Sequence, residues 1–357
     1  MKKTSAVIIT MLMLVAVSIT SLYAGSITYG GNAPSHSNTD IDNALKAGFN
    51  ELISKADGNL TNIGNMPDFL KSMGTASAHA SNVATQRNVA NYSFLAITAG
   101  NNLSNVGDPN GIAKKVTEKG DLEAGVASQT WAIQVGINAG FLVDGLYLAL
   151  KYGQTKMTPI LFTDNFEVAD KTYGIMLNYE ILKKHTLLGL IGYRGLSFGS
   201  GVLIQENKLN FKFKTPKQQT VQPISGTSES VTMEFQPNLL MKINSNVVIV
   251  PLELSTAIIL GPLSVGFGAG ADLNFGSTKM DLSAKSNIDV RGGGVSNVTP
   301  GEVNAKANIK KQSPEFISPK VMVGPSIGLG PIMIEMPFSY YFVNKGLSVG
   351  LTAGIVF

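Results

Sequence analysis

The 357-residue sequence predicts an all-β membrane protein, an antiparallel up-and-down β-barrel with a small helical segment at its N-terminus. Three observations predict it. The last residues alternate in steps of two: Leu347, Val349, Leu351, Ala353, Ile355 and Phe357 share one face, while Gly346, Ser348, Gly350, Thr352 and Gly354 share the other. An apolar face backed by glycine and hydroxyl groups suits a strand with lipid on one side and a polar lumen on the other. The same period of two recurs from about residue 92 onward. Finally, charged residues make up only 15 % of the chain, against about 25 % in soluble proteins, while there are 38 glycines and the mean hydropathy is +0.16. Moderate apolarity spread through alternating segments is what a membrane barrel leaves in a sequence.

The chain opens with Lys2 and Lys3, then an apolar stretch over 6–19 broken only by Thr10 and Ser18, then Leu22-Tyr23-Ala24 before Gly25. A positive start, a short apolar run and a small-residue cleavage site form a secretory leader over 1–24. A spanning helix needs about 20 apolar residues, more than this stretch supplies. Removing the leader takes away Lys2 and Lys3 and leaves a formal charge of +2 in place of +4. That near balance does not suggest nucleic-acid binding. There is no cysteine, hence no disulfide and no lipidated cysteine after the leader.

Residues 25–91 form a separate segment. Ile41, Ala44, Leu45, Phe49, Leu52 and Ile53 recur at helical spacing, with Thr39 or Asp40 as the cap and Asp57-Gly58 as the stop. A second helix begins near Asn65, with Pro67 in its first turn and Phe69, Leu70 and Met73 as its apolar side. Residues 75–90 are mostly Ala, Ser, Asn and Thr, and small residues at Ala76, Ala80 and Ala84 permit close packing. The segment is either a plug in the barrel mouth or a small periplasmic helical segment with no gating role.

The barrel occupies 92–357. Alternation places strands at 92–100, 130–141, 145–153, 173–182, 186–194, 200–213, 230–243, 247–259, 263–276, 319–328, 331–342 and 346–357. That is about 12, with 10 to 14 allowed by the ambiguity at 214–229 and at 279–311. Stretches 101–129, 154–172 and 277–318 become long outer loops, and Asp144-Gly145, Leu260-Gly261-Pro262 and Gly328-Leu329-Gly330 become short turns. Strands in lipid must pair every backbone group, which only closure achieves. Pro237, Pro251, Pro325 and Pro337 each remove a ladder bond, so bulges are expected there. Aromatics gather near run ends, at Tyr92, Trp131, Phe141, Tyr152, Tyr173, Phe275, Phe342 and Phe357, where membrane interfaces would lie.

An aromatic terminal residue preceded by apolar residues at every second position resembles the C-terminal signal of bacterial outer-membrane β-barrel proteins. The resemblance implies a location in the bacterial outer membrane, with outer-membrane lipid and the barrel-assembly machinery, which would read Phe357, as partners. An N-terminal plug ahead of a mid-sized barrel is loosely similar to hydrophobic-compound transporters of the long-chain fatty-acid type. That likeness covers element order only. The Asn-Pro-Ala hatch signature of those transporters is absent, Asn32-Ala33-Pro34 standing instead, so no ligand residues carry over.

Charges on the non-apolar faces are the candidate lumen-lining set: Lys151, Glu180, Arg194, Glu234, Lys242, Glu253, Asp272, Lys320 and Glu335. They either tune an aqueous passage or pair to fill a narrow barrel. Catalysis finds no motif. His36, His79 and His185 lack metal-ligand spacing, and neither a nucleophile elbow nor a phosphate loop is present. Gly292-Gly293-Gly294 reads as a loop tip. No cofactor is predicted. The sequence therefore predicts a non-enzymatic channel or transporter for small solutes, hydrophobic ones included. The alternative is a surface-exposed adhesin or binding protein that uses the barrel as a scaffold and its loops as the contact surface. The oligomeric state stays open.

Overall fold

The computed structural model describes residues 28–60, 66–82, 94–107, 125–157, 166–187, 191–214, 217–236, 238–292 and 295–357. The leader, Ala84, Tyr92, Pro237 and Gly293-Gly294 lie outside them. In chain order the elements are β1 (Thr28–Asn32), α1 (Thr39–Leu60), α2 (Met66–Ala80), β2 (Leu95–Val106), β3 (Gly125–Asn138), β4 (Leu146–Met157), β5 (Phe166–Leu182) and β6 (His185–Leu187). They continue with β7 (Ile191–Lys214), β8 (Gln218–Pro223), β9 (Ser230–Phe235), β10 (Asn238–Leu260), β11 (Leu263–Arg291) and β12 (Gly301–Gln312). The chain closes with β13 (Ile317–Leu329), β14 (Ile332–Glu335), β15 (Phe338–Tyr341) and β16 (Gly346–Val356).

The pairings return on themselves. From β2 they run through β3, β4, β5, β7, β10 and β11 to β13, then through β14 and β15 to β16 and back to β2, all antiparallel. Collinear β14 and β15 form one strand, so the ring has ten. Twelve sequence runs become ten strands because two separations vanish. From Ile191 onward run 186–194 joins 200–213 in β7, while His185–Leu187 is β6 and pairs back against it. Asn244-Ser245-Asn246 is no turn but the middle of β10, paired residue by residue with β7 and β11. Both mergers together keep the count even and carry 214–229 to the end with the long loops.

Pro251, Pro325 and Pro337 do not create bulges. Pro325 and Pro337 lie on adjacent strands, and the register is the same on either side of them: Val323 faces Phe338 and Ser326 faces Glu335. Each ring costs one donor, but the carbonyls still accept, Pro325 from Met336 N–H at 3.0 Å and Pro337 from Gly350 N–H at 2.9 Å. Pro251 likewise keeps its place opposite Asp272. A register shift does occur between Thr256 and Ile258, beside Gly195. Gly195 has φ +83°, and a Cβ there would lie 2.0 Å from the Leu182 carbonyl oxygen.

The long strands change chemistry partway along without changing phase. On β11 the outward residues are Leu263, Val265, Phe267, Ala269, Ala271, Leu273 and Phe275, then Ser277, Lys279, Asp281, Ser283 and Lys285. Inward, Ser264, Gly266, Gly268, Gly270, Asp272 and Asn274 give way to Met280, Leu282, Ala284 and Ile288. Strand β10 does the same, apolar outside from Val248 to Leu260 and apolar inside at Leu239, Met241 and Ile243. The apolar outer stretch of either strand is thirteen residues. At about 3.3 Å per residue and a tilt near 45° it stands ~28 Å tall, close to the ~25 Å band of membrane barrels. Its upper rim is one cross-strand row, Tyr152, Tyr173, Ile204, Val248 and Phe275.

Beyond that rim the strands enclose a second core. Helix α1 buries Ala44, Leu45 and Leu52 against Ile224, Val231, Met233, Phe235, Ile288 and Val303. Gly48 allows this approach, since a Cβ there would meet the Met233 methyl. The helix cap is Asn38 rather than Thr39 or Asp40: its Oδ1 accepts from the N–H groups of Asp40 (2.9 Å) and Ile41 (3.3 Å). β1 pairs with β12 at this same end. The opposite end holds the short turns, with Gly261 and Gly330 both at φ +62°, and Phe94 N–H bonded to the Phe357 carbonyl.

Candidate functional site: the bore and its helix

Helix α2 lies inside the ring. It touches β2, β3, β7, β10, β11, β12 and β16, and every residue from Met73 to Asn82 is buried. Its sequence explains the fit. Ten strands enclose little more than side chains can fill, so only a helix of Gly, Ala, Ser and Thr is thin enough. Gly74 sits where a Cβ would be 2.5 Å from the Thr278 hydroxyl, and Gly125 on β3 where a Cβ would be 2.2 Å from the Ser72 carbonyl. Ala76 and Ala80 pack on Val106 and Ala127. Ala78 sits among Ala149, Met176, Leu203, Val247 and Ile249.

So small a helix buries little apolar area, and polar contacts hold it. The last turn of any helix leaves carbonyls without partners; here the wall supplies the donors. Asn102 Nδ2 donates to the carbonyls of His79 (3.1 Å) and Ala80 (3.3 Å), Lys151 Nζ donates to that of Ser81 (3.1 Å), and Ser104 Oγ to that of Ala76. Higher up, Ser77 Oγ donates to Asn207 Oδ1 at 2.6 Å, and Lys71 pairs with Glu315 at 2.6 Å.

Below the helix end lies an ionic cluster. Lys320, 1 % exposed, pairs with Glu253 and, at 2.6 Å, with Asp272. Tyr341 OH donates to Asp272 Oδ2 at 3.2 Å, and Asn82 Nδ2 donates to Tyr341 OH at 2.7 Å. The His79 ring stacks on Tyr341, centroids 3.4 Å apart and 6° from parallel. A continuous chain of contacts thus joins the helix to the wall charges. Glu335 is buried with Arg194 as its electrostatic partner, and Gly324 opposite leaves room for its carboxylate.

Of the nine candidate lumen charges, Lys151, Arg194, Glu253, Asp272, Lys320 and Glu335 sit on inward wall positions, and Glu180 does so half-exposed at the short-turn end. Two are corrected. Glu234 is on β9, in the hairpin beyond the membrane band. There the Lys217 ammonium, with Arg291 further off, holds its carboxyl below the ordinary glutamate range. Lys242 faces outward and is exposed, because β10 has already passed the lipid rim and turned its apolar residues inward. Sequence reasoning did not single out Asn102, Ser104, Asn207 or Tyr341. Tyr341 alternates with Tyr340 and Phe342, so its register already placed a phenol on the inner face. Among the described residues no group of three His, Cys, Asp or Glu is placed to hold a metal ion.

A closed antiparallel ladder with lipid-facing apolar residues and a polar bore defines a bacterial outer-membrane β-barrel protein. The chain belongs to the Lsa36-like family, whose model matches residues 21–357. No curated protein matches it. Solved structures with a similar course include the translocator domain of the autotransporter NalP from Neisseria meningitidis, at 10 % identity and TM-score 0.28, over 75 % of this chain and 90 % of that one. Another is the CymD monoaromatic hydrocarbon channel, at 8 % identity and TM-score 0.25, over 75 % and 89 %. A Pseudomonas aeruginosa FadL homologue follows at 9 % identity and TM-score 0.24, over 81 % and 98 %.

Proposed function

We propose that the protein is an outer-membrane channel or transporter for small solutes, closed at rest by helix α2. One observation carries this reading: the helix fills a bore whose wall is largely glycine, hydroxyl, amide and paired charge, with an apolar patch around Ala78, and hydrogen bonds from the wall tie its polar groups there. Such a stopper is exchangeable for water at modest cost, since each hydrogen bond contributes only about 0.5–1.5 kcal/mol net. The polar wall favours hydrophilic solutes. Planar-bilayer recording tests it. The full chain should be silent, and a variant lacking residues 66–82 should give stepwise conductance while still migrating faster unboiled than boiled. A folded but silent deletion variant overturns the reading.

A second reading rests on a different observation. The unit built from α1, β8, β9, β12 and the upper half of β11 stands beyond the lipid rim and has its own core. This favours a surface-exposed binding protein with the barrel as its anchor. If the deletion variant is silent, and removal of 218–235 abolishes capture of an external ligand, this second reading replaces the first.

A further inference from the structure

Above the lipid rim, one side of the barrel presents a lysine face. Lys208 and Lys212 on β7, Lys242 on β10, Lys279 on β11 and Lys306 on β12 all point outward and are exposed. The register sets them in rows: Lys208, Asn244 and Lys279 lie side by side, as do Lys212, Leu240, Ser283 and Lys306. Among the described residues none of the five makes an ion pair within 4 Å, whereas Lys285 above them is paired with Glu302. The acids on or beside the face are Glu206, Asp281, opposite Lys242, and Glu167, which pairs with Lys156 at the edge next to Lys212. The face continues the lipid-facing surface directly. Lys208 lies four residues beyond Ile204 and Lys279 four beyond Phe275, about 13 Å along the strand and ~10 Å in height after tilt. For Lys208 and Lys279 that is the outer edge of the headgroups, which add roughly 5–8 Å to each side of the hydrocarbon core, and a lysine stem reaches several ångströms; Lys242 is six residues, and Lys212 and Lys306 eight, beyond the rim row, ~15 and ~20 Å up. Among the described residues β2 and β3 present Asn101, Leu103 and Ser128 above the rim, and no lysine.

We propose that this lysine face binds the phosphate-bearing headgroups of anionic lipid in the leaflet on the long-loop side. Basic residues beside an anionic surface each contribute about 1 kcal/mol, or about five-fold in affinity. The function is lateral: it fixes the height and rotation of the barrel in its bilayer and ties the outer unit to the membrane beneath it.

The test uses the full chain folded in detergent and offered equal phosphatidylglycerol and phosphatidylcholine, with retained lipid counted by native mass spectrometry. The wild type should retain phosphatidylglycerol preferentially. Lys208→Gln and Lys279→Gln should each weaken the preference about five-fold, Lys242→Gln and Lys306→Gln, which stand higher, should weaken it less, and the quadruple variant should bring it to parity. All variants keep heat-modifiable migration, because the side chains are exposed. Equal retention of both lipids by the wild type, or an unchanged preference in the quadruple variant, overturns the proposal. Heparin binding by the wild type without lipid preference also overturns it and assigns the face to a soluble polyanion. Channel conductance is not a readout, so this result and that of the channel reading stand apart.

Discussion

Lys320 is the charge on which the inside of the barrel depends most. It stands between Glu253 and Asp272 and is essentially out of solvent. Replacing it with methionine, similar in length, leaves two buried carboxylates without their cation, a loss of roughly 3–5 kcal/mol for breaking a buried pair from one side. Lys320→Met should therefore unfold at clearly lower urea or temperature by heat-modifiability, whereas exposed Lys279→Met should not. Asn102 is the second such residue, since one side chain serves the carbonyls of both His79 and Ala80. Asn102→Ala should cost about 1–3 kcal/mol, the penalty for stranded buried polar groups, and should speed amide exchange in α2 while leaving the strands protected. Equal exchange rates in the two proteins would remove Asn102 from the seal.

At the scale of one strand, β11 predicts where lipid ends. Phe267 and Ser283 share its outer face, one below Phe275 and one above. Phe267→Arg should lose roughly 2–4 kcal/mol, the midplane cost of arginine facing lipid, while Ser283→Arg should change stability by no more than about 0.5 kcal/mol, as for an ordinary surface site. Equal losses would displace the lipid rim from the Phe275 row. The hairpin beyond it responds to acid. Lys217 holds the Glu234 carboxyl low, and Lys285 with Asn304 does so for Glu302. Carboxyls depressed in the folded state contribute stability that is present above about pH 4.5, their ordinary value, and is lost as the pH falls through the depressed folded values. Resistance of the outer unit to pepsin should then be level down to about pH 5 and decline below it, with Glu234→Gln flattening part of the decline. Both pairs are exposed enough that salt should weaken the effect.

For the whole molecule the path of the chain is the main consequence. β1 and α1 lie at the long-loop end, α2 lies in the bore, and Phe94 starts the barrel wall at the short-turn end. With short turns facing the periplasm, as in bacterial barrels, α1 would stand on the cell surface and α2 would lie in the lumen beneath it. The natural chain has no cysteine, so single-cysteine labelling is clean. On intact cells Lys46→Cys should react with an impermeant maleimide, and Leu142→Cys in the short turn should react only after lysis. The reverse pattern would invert the barrel in its membrane.

The sequence by itself determined the closed antiparallel ring and the inward or outward sense of most strand positions. A period of two commits every side chain to one face, and backbone groups in lipid permit no open edge. It also marked the two helices near 41–53 and 65–73, because a period near 3.6 is equally local, but not the strand at Thr28–Asn32. Tertiary structure alone decided three things. It decided that 191–194 runs on into 200–213 and that 238–243 runs on into 247–259, with 230–235 split off as β9, since alternation looks the same in one long strand as in two short ones. It decided that Lys242 faces outward, because apolar residues belong outside only where lipid is the solvent, and above the rim the same face meets water while α1 and α2 supply the core. It decided, finally, that α2 lies within the bore: a helix of small residues carries no address of its own, and only Asn102, Lys151, Asn207 and Tyr341, brought together from four distant strands, give it one.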